Sequence, residues 1–136
     1  MGSMTSSINS LAELSQKMRI PTKRHFDYHV VGVTFEGRQK TLSEFFKKYK
    51  VGKQYDVMLM PENNNAYDPN AIAVALDVNG KYECVGYIAK ELNQDLRAKM
   101  DCISEARLKS IGYGTNGKIG LTIRVDFDEQ SNSVSE

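Results

Sequence analysis

A polar loop that runs directly into an apolar strand, at residues 61–74, constrains this chain more than any other stretch. Two prolines fix the backbone φ angle in a segment otherwise rich in asparagine and aspartate, which favour turns. The apolar run at 71–76 has the length and composition of a buried strand. The sequence therefore predicts a rigid turn that holds several amides, the Tyr67 phenol and the Asp68 carboxylate at the start of a strand. That arrangement suits binding better than packing.

The size and composition of the chain are typical of one soluble globular domain. It has 136 residues, of which 40% are hydrophobic and 26% are charged. No apolar run is long enough for a membrane span, and no secretory signal pattern is present. Cys84 and Cys102 lie in apolar-looking segments, so we expect reduced thiols in an intracellular protein, cytoplasmic or nuclear. The sequence predicts no membrane association.

The balance of charge limits how this chain could meet nucleic acid. Lys and Arg total 18, against 17 Asp and Glu residues. Coating duplex DNA without sequence preference requires many neutralised phosphates. We therefore expect any nucleic-acid contact to come from a small local site and not from the global charge.

The alternation of polar and apolar residues predicts six strands and two or three helices. The strands are predicted at residues 28–36, 54–60, 71–78, 82–88, 102–112 and 118–127. Helices are predicted at 10–18, from the capping box at 41–44 to Gly52, and at 90–100. These elements predict a mainly β fold with short helices (α+β), a partly closed, OB-like six-stranded barrel. The domain is expected over residues 21–128, after a tag and short helix at 1–20 and before a disordered tail at 129–136.

Several apparent catalytic motifs fail on their chemistry. Residues 112–118 nearly spell a phosphate-binding loop, but Ile119 occupies the position where a hydroxyl must hold magnesium, and strand-like residues follow. His25 and His29 have no further ligands to complete a zinc site, and Cys84 has no adjacent base. We therefore expect a non-enzymatic protein without metal or cofactor.

Exposed aromatic residues are the remaining candidates for binding. Base stacking on aromatic side chains tolerates any sequence, so two exposed rings could hold a nucleic-acid strand. Phe35 and Tyr67 are the candidates, although strand alternation leaves core packing open for Phe35. Asp68 could equally organise the turn before Pro69.

Three separated motifs resemble the HIRAN domain family. They are Val-Val-Gly-Val-Thr-Phe at 30–35, Asn-x-Tyr-Asp-x-Asn-Ala-Ile-x-Val at 65–74, and Val-Gly-Tyr-Ile-Ala-Lys-Glu-Leu at 85–92. The resemblance spans residues 27–113. It implies a small β-barrel of the kind found fused to DNA-repair helicases and also standing alone.

The resemblance also implies a ligand and a set of site residues. In the HIRAN domains of fork-remodelling helicases, a pocket captures the 3′ end of single-stranded DNA. By motif position, Asp68 would accept a hydrogen bond from the terminal 3′-hydroxyl, and Tyr67 and Phe35 would stack on the last bases. The remaining implied contacts are Asn65 to the terminal nucleotide, Lys90 to a backbone phosphate and Tyr87 in the pocket wall. Such a carboxylate would repel a terminal phosphate and so read the type of end.

The chain departs from the family pattern at three positions. Thr34 replaces an arginine that grips phosphate in the DNA-binding members, and Tyr87 replaces a histidine. Ala66 replaces a proline and loosens the loop. These departures affect the expected affinity for DNA more than the expected fold.

The resemblance therefore implies a binding module for 3′-hydroxyl ends of single-stranded DNA, with DNA repair or replication-fork processing beside a helicase or nuclease as the expected setting. The replacement at Thr34 and the near-zero net charge leave an alternative open, in which a protein-interaction or adaptor domain kept the fold and lost DNA binding. A nuclease ranks last, because no second carboxylate in the loop joins Asp68 to hold a metal.

Overall fold

The computed structural model describes residues 23–128. The helix predicted at 10–18 and the tail predicted at 129–136 lie outside this range. The described part contains six strands, two α-helices and one 3-10 turn. In chain order these are β1 (Lys23–His29), α1 (Arg38–Lys47), β2 (Val57–Pro61), β3 (Ile72–Val78), β4 (Lys81–Tyr87), α2 (Lys90–Ala98), the 3-10 turn Met100–Cys102, β5 (Ile103–Tyr113) and β6 (Ile119–Asp128).

The strands form two antiparallel three-stranded sheets, in the orders β1-β6-β5 and β2-β3-β4. Two isolated bridges link the sheets, one between Val31 and Tyr87 and the other between Asp56 and Arg107. The mainly β architecture with short helices is as predicted. The closure of the strands into one barrel and a third helix are not confirmed.

The core lies between these sheets and α1. Every second residue of β6 is buried, so this strand has one face on the core, as its alternating sequence predicts. In β3, the residues from Ile72 to Leu76 are all buried, as their continuous apolar run predicts. Helix α1 packs against β3 and β4 and contributes the buried side chains of Leu42 and Phe45.

The prediction of a strand through residue 36 is wrong beyond β1. Residues 32–37 form turns, because Gly32 (φ 71°), Glu36 (φ 54°) and Gly37 (φ 75°) adopt left-handed conformations that interrupt a regular strand. The predicted start of α1 near Thr41 is also wrong. The Gly37 carbonyl already accepts the Thr41 N–H at 3.2 Å, so the apparent capping box lies inside the helix.

Two hairpins agree with the sequence. Asn79 and Gly80 have positive φ angles and connect β3 to β4, as an Asn-Gly pair favours. The phosphate-loop lookalike is the turn between β5 and β6, where the Gly114 N–H donates to the Lys118 carbonyl at 2.8 Å. Between residues 23 and 128, no helix is long and apolar enough to cross a membrane.

Candidate functional site

A surface pocket of about 310 Å³ lies between the loop after β1, the loop before β3 and the start of α2. Six of the seven predicted site residues line it, namely Phe35, Asn65, Tyr67, Asp68, Tyr87 and Lys90. Thr34 is not among the lining residues. The pocket thus brings together side chains that are separated by as much as half the length of the domain in sequence.

Two aromatic rings of the pocket are exposed. The Tyr67 side chain is 95% exposed and Phe35 is 65% exposed. The core-packing alternative for Phe35 is therefore wrong, because the turn at 32–37 carries this residue out of the sheet. Exposed rings at a pocket edge are available for stacking on planar ligands.

The loop before β3 is held by its own side chains. The Asn65 Oδ1 atom accepts the backbone N–H groups of Tyr67 at 2.8 Å and Asp68 at 3.0 Å. The Asn65 Nδ2 group donates to Glu62 at 2.9 Å. Asn65 therefore shapes the loop that presents Tyr67 and Asp68, whereas its contact with a nucleotide stays a prediction.

The Asp68 carboxylate is oriented by two donors. Its Oδ1 accepts the Asn70 N–H at 2.9 Å, and its Oδ2 accepts Asn93 Nδ2 at 2.7 Å. The Asn70 N–H, and next the Asn93 amide, hold the pKa of Asp68 below its ordinary value, with smaller contributions from the charges of Lys90 and Arg97. Asp68 both organises the turn and faces the pocket as an ionised acceptor.

Helix α2 clamps the same loop through Arg97. Its guanidinium donates to the Asn70 carbonyl at 3.0 Å, the Ala71 carbonyl at 2.9 Å and Asn63 Oδ1 at 2.8 Å. These three contacts fix both ends of the loop to one helix. The loop is therefore held by contacts with α2 as well as by its own prolines.

The pocket wall is built on Tyr87. Its hydroxyl donates to Glu62, with oxygen distances of 3.0 and 3.1 Å, and burial together with this hydrogen bond raises the pKa of Tyr87 to about 12. The guanidinium carbon of Arg38 lies 5.0 Å from the centre of the Tyr87 ring. Tyr87 therefore stays neutral and presents its ring, with its hydroxyl engaged by Glu62.

Comparison with known proteins identifies the family. The family model of the HIRAN domain matches residues 23–128. The chain belongs to the HIRAN domain family. Members of this family are known as nucleic-acid-binding modules and not as catalytic domains. The crystal structure of the HIRAN domain of human HLTF is similar to this chain, with 27% identity over 79% of this chain and 77% of that one, and a TM-score of 0.48. No curated protein matches the sequence.

Sequence reasoning missed four polar residues that build the site of this HIRAN domain, namely Arg38, Glu62, Asn93 and Arg97. Each acts through a contact distant in sequence, so local patterns carry no signal for it. The wrong start of α1 also left Arg38 in a turn outside the helix. Glu62 lies at the start of the polar loop, but nothing in the sequence pairs it with Tyr87.

Two other features of residues 23–128 bear on the choice of site, namely possible metal ligands and a second pocket. No group of three or more His, Cys, Asp or Glu side chains within residues 23–128 is arranged to hold a metal ion. A second open pocket, of about 470 Å³, lies along the β5–β6 hairpin. Its lining includes His29 and Lys118 but no carboxylate and none of the predicted site residues. The pocket at Asp68 is the candidate site because it gathers six of the seven predicted site residues.

Proposed function

We propose that this HIRAN domain binds the 3′ end of single-stranded DNA and recognises the free 3′-hydroxyl through Asp68. The observation that carries the proposal is the ionised Asp68 carboxylate, fixed by Asn70 and Asn93, in a pocket flanked by two exposed aromatic rings.

An ionised carboxylate distinguishes end types by simple electrostatics. It accepts a charge-assisted hydrogen bond from a hydroxyl, whereas a terminal phosphate brings a like charge to the same place. Each Asp68 oxygen already accepts one hydrogen bond and has a further lone pair for the ligand. The pocket thus suits a hydroxyl and disfavours a phosphate.

The rest of the pocket suits an unpaired strand. Tyr67 and Phe35 are placed to stack on the last bases, at roughly 1–3 kcal/mol per base. Lys90 is the first residue of α2, where the helix N-terminus also favours an anion such as a backbone phosphate. One or two phosphate contacts correspond to a shallow salt dependence, with a slope of roughly −0.7 to −1.4 on logarithmic axes.

This function implies a partner that acts on DNA ends. A helicase or nuclease would act on the DNA, in DNA repair or at replication forks, and this domain would bind the 3′ end. We therefore propose that such a complex acts inside the cell.

The test compares two labelled oligonucleotides that differ only in a 3′-hydroxyl or a 3′-phosphate. We expect the wild type to prefer the hydroxyl and Asp68→Asn to lose most of the preference, chiefly by binding the phosphate better. Asp77→Asn is the matched control, because Asp77 also accepts a turn N–H, from Gly80 at 2.8 Å, but lies in the β3–β4 hairpin. Equal binding of both ends by the folded wild type would contradict the proposal. Failure to bind any oligonucleotide at low salt would favour the adaptor function.

A further inference from the structure

Arg38 places a guanidinium in the pocket wall at a position that the sequence did not single out. It is the first residue of α1, and its side chain is only 12% exposed, yet it lines the same pocket as Asp68 and Lys90. Its guanidinium lies over the Tyr87 ring. A largely buried cation that lines a ligand pocket favours an anionic ligand there.

The contacts of Arg38 inside the domain leave most of its donors unused. Its Nη1 donates to the Gly32 carbonyl at 2.7 Å, which is one of the five N–H donors of a guanidinium. Its Nη2 lies 3.6 Å from Glu36, whose side chain is 82% exposed. Because this distance is too long for a good hydrogen bond and the Glu36 carboxylate is mostly solvated, the ion pair is weak and leaves Arg38 able to bind a second anion.

The cation–π contact with Tyr87 makes this cation well suited to a phosphate. Contact with the ring and the hydrogen bond to the Gly32 carbonyl together restrict where the guanidinium can lie. A fixed, planar set of donors binds phosphate oxygens in pairs, which a flexible lysine does not do. Lys90 lies on the wall of the same pocket and supplies a second, more flexible charge.

We infer that Arg38, together with Lys90, binds the phosphodiester that precedes the 3′-terminal nucleotide, and that Arg38 sets the affinity for the strand. The inference rests on the proposed function and adds a phosphate contact to it. In this arrangement Asp68 binds the terminal 3′-hydroxyl, and Arg38 binds the adjacent backbone phosphate. The competing explanation is structural, because the hydrogen bond to Gly32 also positions the loop that carries Phe35.

The decisive experiment changes the phosphate as well as the arginine. One oligonucleotide carries a normal 3′-terminal phosphodiester linkage, and the other carries a neutral methylphosphonate at that linkage. For the normal strand, we expect Arg38→Gln to weaken binding roughly 10- to 100-fold, as for a charge-assisted contact. For the methylphosphonate strand the same substitution should change binding little, because the partner charge is already gone.

Three further measurements separate the explanations. The salt slope should become shallower by about 0.7 in Arg38→Gln, since one phosphate contact is lost. Arg38→Lys keeps a charged donor and should keep the salt slope while binding more weakly than the wild type. The matched control is Lys47→Gln, which removes an exposed charge from the last turn of the same helix, outside the pocket, and should bind as the wild type does.

Each outcome of these measurements either supports or contradicts the inference about Arg38. Equal losses on both oligonucleotides would show that Arg38 only positions the loop, and the inference would fall while 3′-hydroxyl preference still supported the proposed function. If Arg38→Gln does not fold, the comparison of Arg38→Lys with the wild type on the two strands decides in the same way. A wild type that binds neither strand would overturn both the inference and the proposed function.

Discussion

Asn93 donates a hydrogen bond from Nδ2 to Asp68 Oδ2 at 2.7 Å and so joins the interior of helix α2 to the carboxylate of the pocket. Asn93 is 2% exposed, and it is the one buried side-chain amide of residues 23–128. A buried amide requires a hydrogen-bond partner, so the packing of the helix and the orientation of the acid depend on each other. The packing of α2 therefore fixes the orientation of the Asp68 carboxylate.

The first prediction concerns this pair. Asn93→Ala removes the second donor to Asp68, so the pKa of Asp68 should rise toward its ordinary value and the carboxylate should lose its fixed orientation. We expect a smaller preference for 3′-hydroxyl over 3′-phosphate ends and a loss of about 1–3 kcal/mol of stability. NMR titration of the Asp68 carboxyl carbon and paired binding curves measure both effects.

The matched control is Gln94→Ala, which removes the neighbouring exposed amide of α2. It should leave both the titration of Asp68 and the end preference as in the wild type. If Asn93→Ala bound the two ends with the wild-type ratio, the hydrogen bond would have no part in recognition and would serve packing alone.

The second prediction concerns the two exposed rings. Phe35→Ala and Tyr67→Ala should each weaken binding of single-stranded DNA by about 1–3 kcal/mol, because each removes one stacking surface. Neither should lower the melting temperature appreciably, since the two side chains are 65% and 95% exposed. Fluorescence anisotropy and thermal unfolding provide the measurements.

Two further variants sharpen that test. Tyr67→Phe keeps the ring and should bind as the wild type does, which separates stacking from hydrogen bonding by the phenol. Tyr82→Ala removes a partly exposed ring of β4 that does not line the pocket and should leave binding intact. Unchanged affinity in both alanine variants of the pocket would remove stacking from the proposed function.

The sequence predicted those parts of the fold that depend on local patterns. The alternation of β6, the apolar run of β3 and the Asn79-Gly80 hairpin all have the predicted form, because side-chain period and turn chemistry act over a few residues. The polar loop before β3, predicted as a turn held by its own side chains, is closed by hydrogen bonds from its backbone to Asn65 and Asp68. What the sequence could not supply was Arg97, whose three hydrogen bonds to that loop span 26 to 34 residues.

The loop after β1 shows where local reasoning fails. Its run of β-branched residues, Val30, Val31 and Val33, favours a strand, but the left-handed conformations of Gly32 and Glu36 reverse the chain. Val31 keeps a single bridge to Tyr87, and Arg38 fastens the turn to Tyr87 and Gly32. Propensity was overridden by contacts with a strand more than 50 positions away.

The third prediction concerns Gly86, which allows β4 and the segment directly after β1 to approach each other. A Cβ atom there would lie 2.5 Å from Val30 Cγ1 and 2.6 Å from the Val31 carbonyl oxygen. Gly86→Ala should therefore cost about 1–3 kcal/mol and break the two hydrogen bonds of the Val31–Tyr87 bridge, of 2.9 and 2.8 Å. Urea unfolding and hydrogen exchange of these two amides measure the effects.

Because Tyr87 forms the pocket wall, Gly86→Ala should also weaken DNA binding beyond what the loss of stability explains. Gly112→Ala is the matched control, since a Cβ at Gly112 meets nothing within 4 Å. Wild-type exchange rates at Val31 and Tyr87 in the Gly86 variant would show that the sheets tolerate the added methyl group and that the bridge does not depend on it.

The fourth prediction concerns Asp27, which ties together the three strands of the first sheet. Asp27, in β1, accepts hydrogen bonds from Arg124 of β6 at 2.8 and 3.1 Å and from Lys109 of β5 at 2.5 Å. The hydrogen bonds from Arg124, and next from Lys109, hold the pKa of Asp27 far below its ordinary value. The folded state therefore binds this proton less readily than the unfolded chain does.

The sign of the pH effect follows from that difference. The stabilisation by Asp27 is fully present above the ordinary carboxyl pKa of 3.8 and is lost as the pH falls below it. Asp27→Asn should be less stable than the wild type at neutral pH, by about 1 kcal/mol because the network is partly exposed, and should approach it in acid. Urea unfolding at pH values from about 7 down to about 2 tests this, since acid protonates such carboxylates.

Asp101→Asn, which removes an exposed carboxylate of the 3-10 turn, is the control. A constant stability difference between Asp27→Asn and the wild type over that range would contradict the linkage, and unaltered DNA binding at neutral pH would place the network in the fold alone.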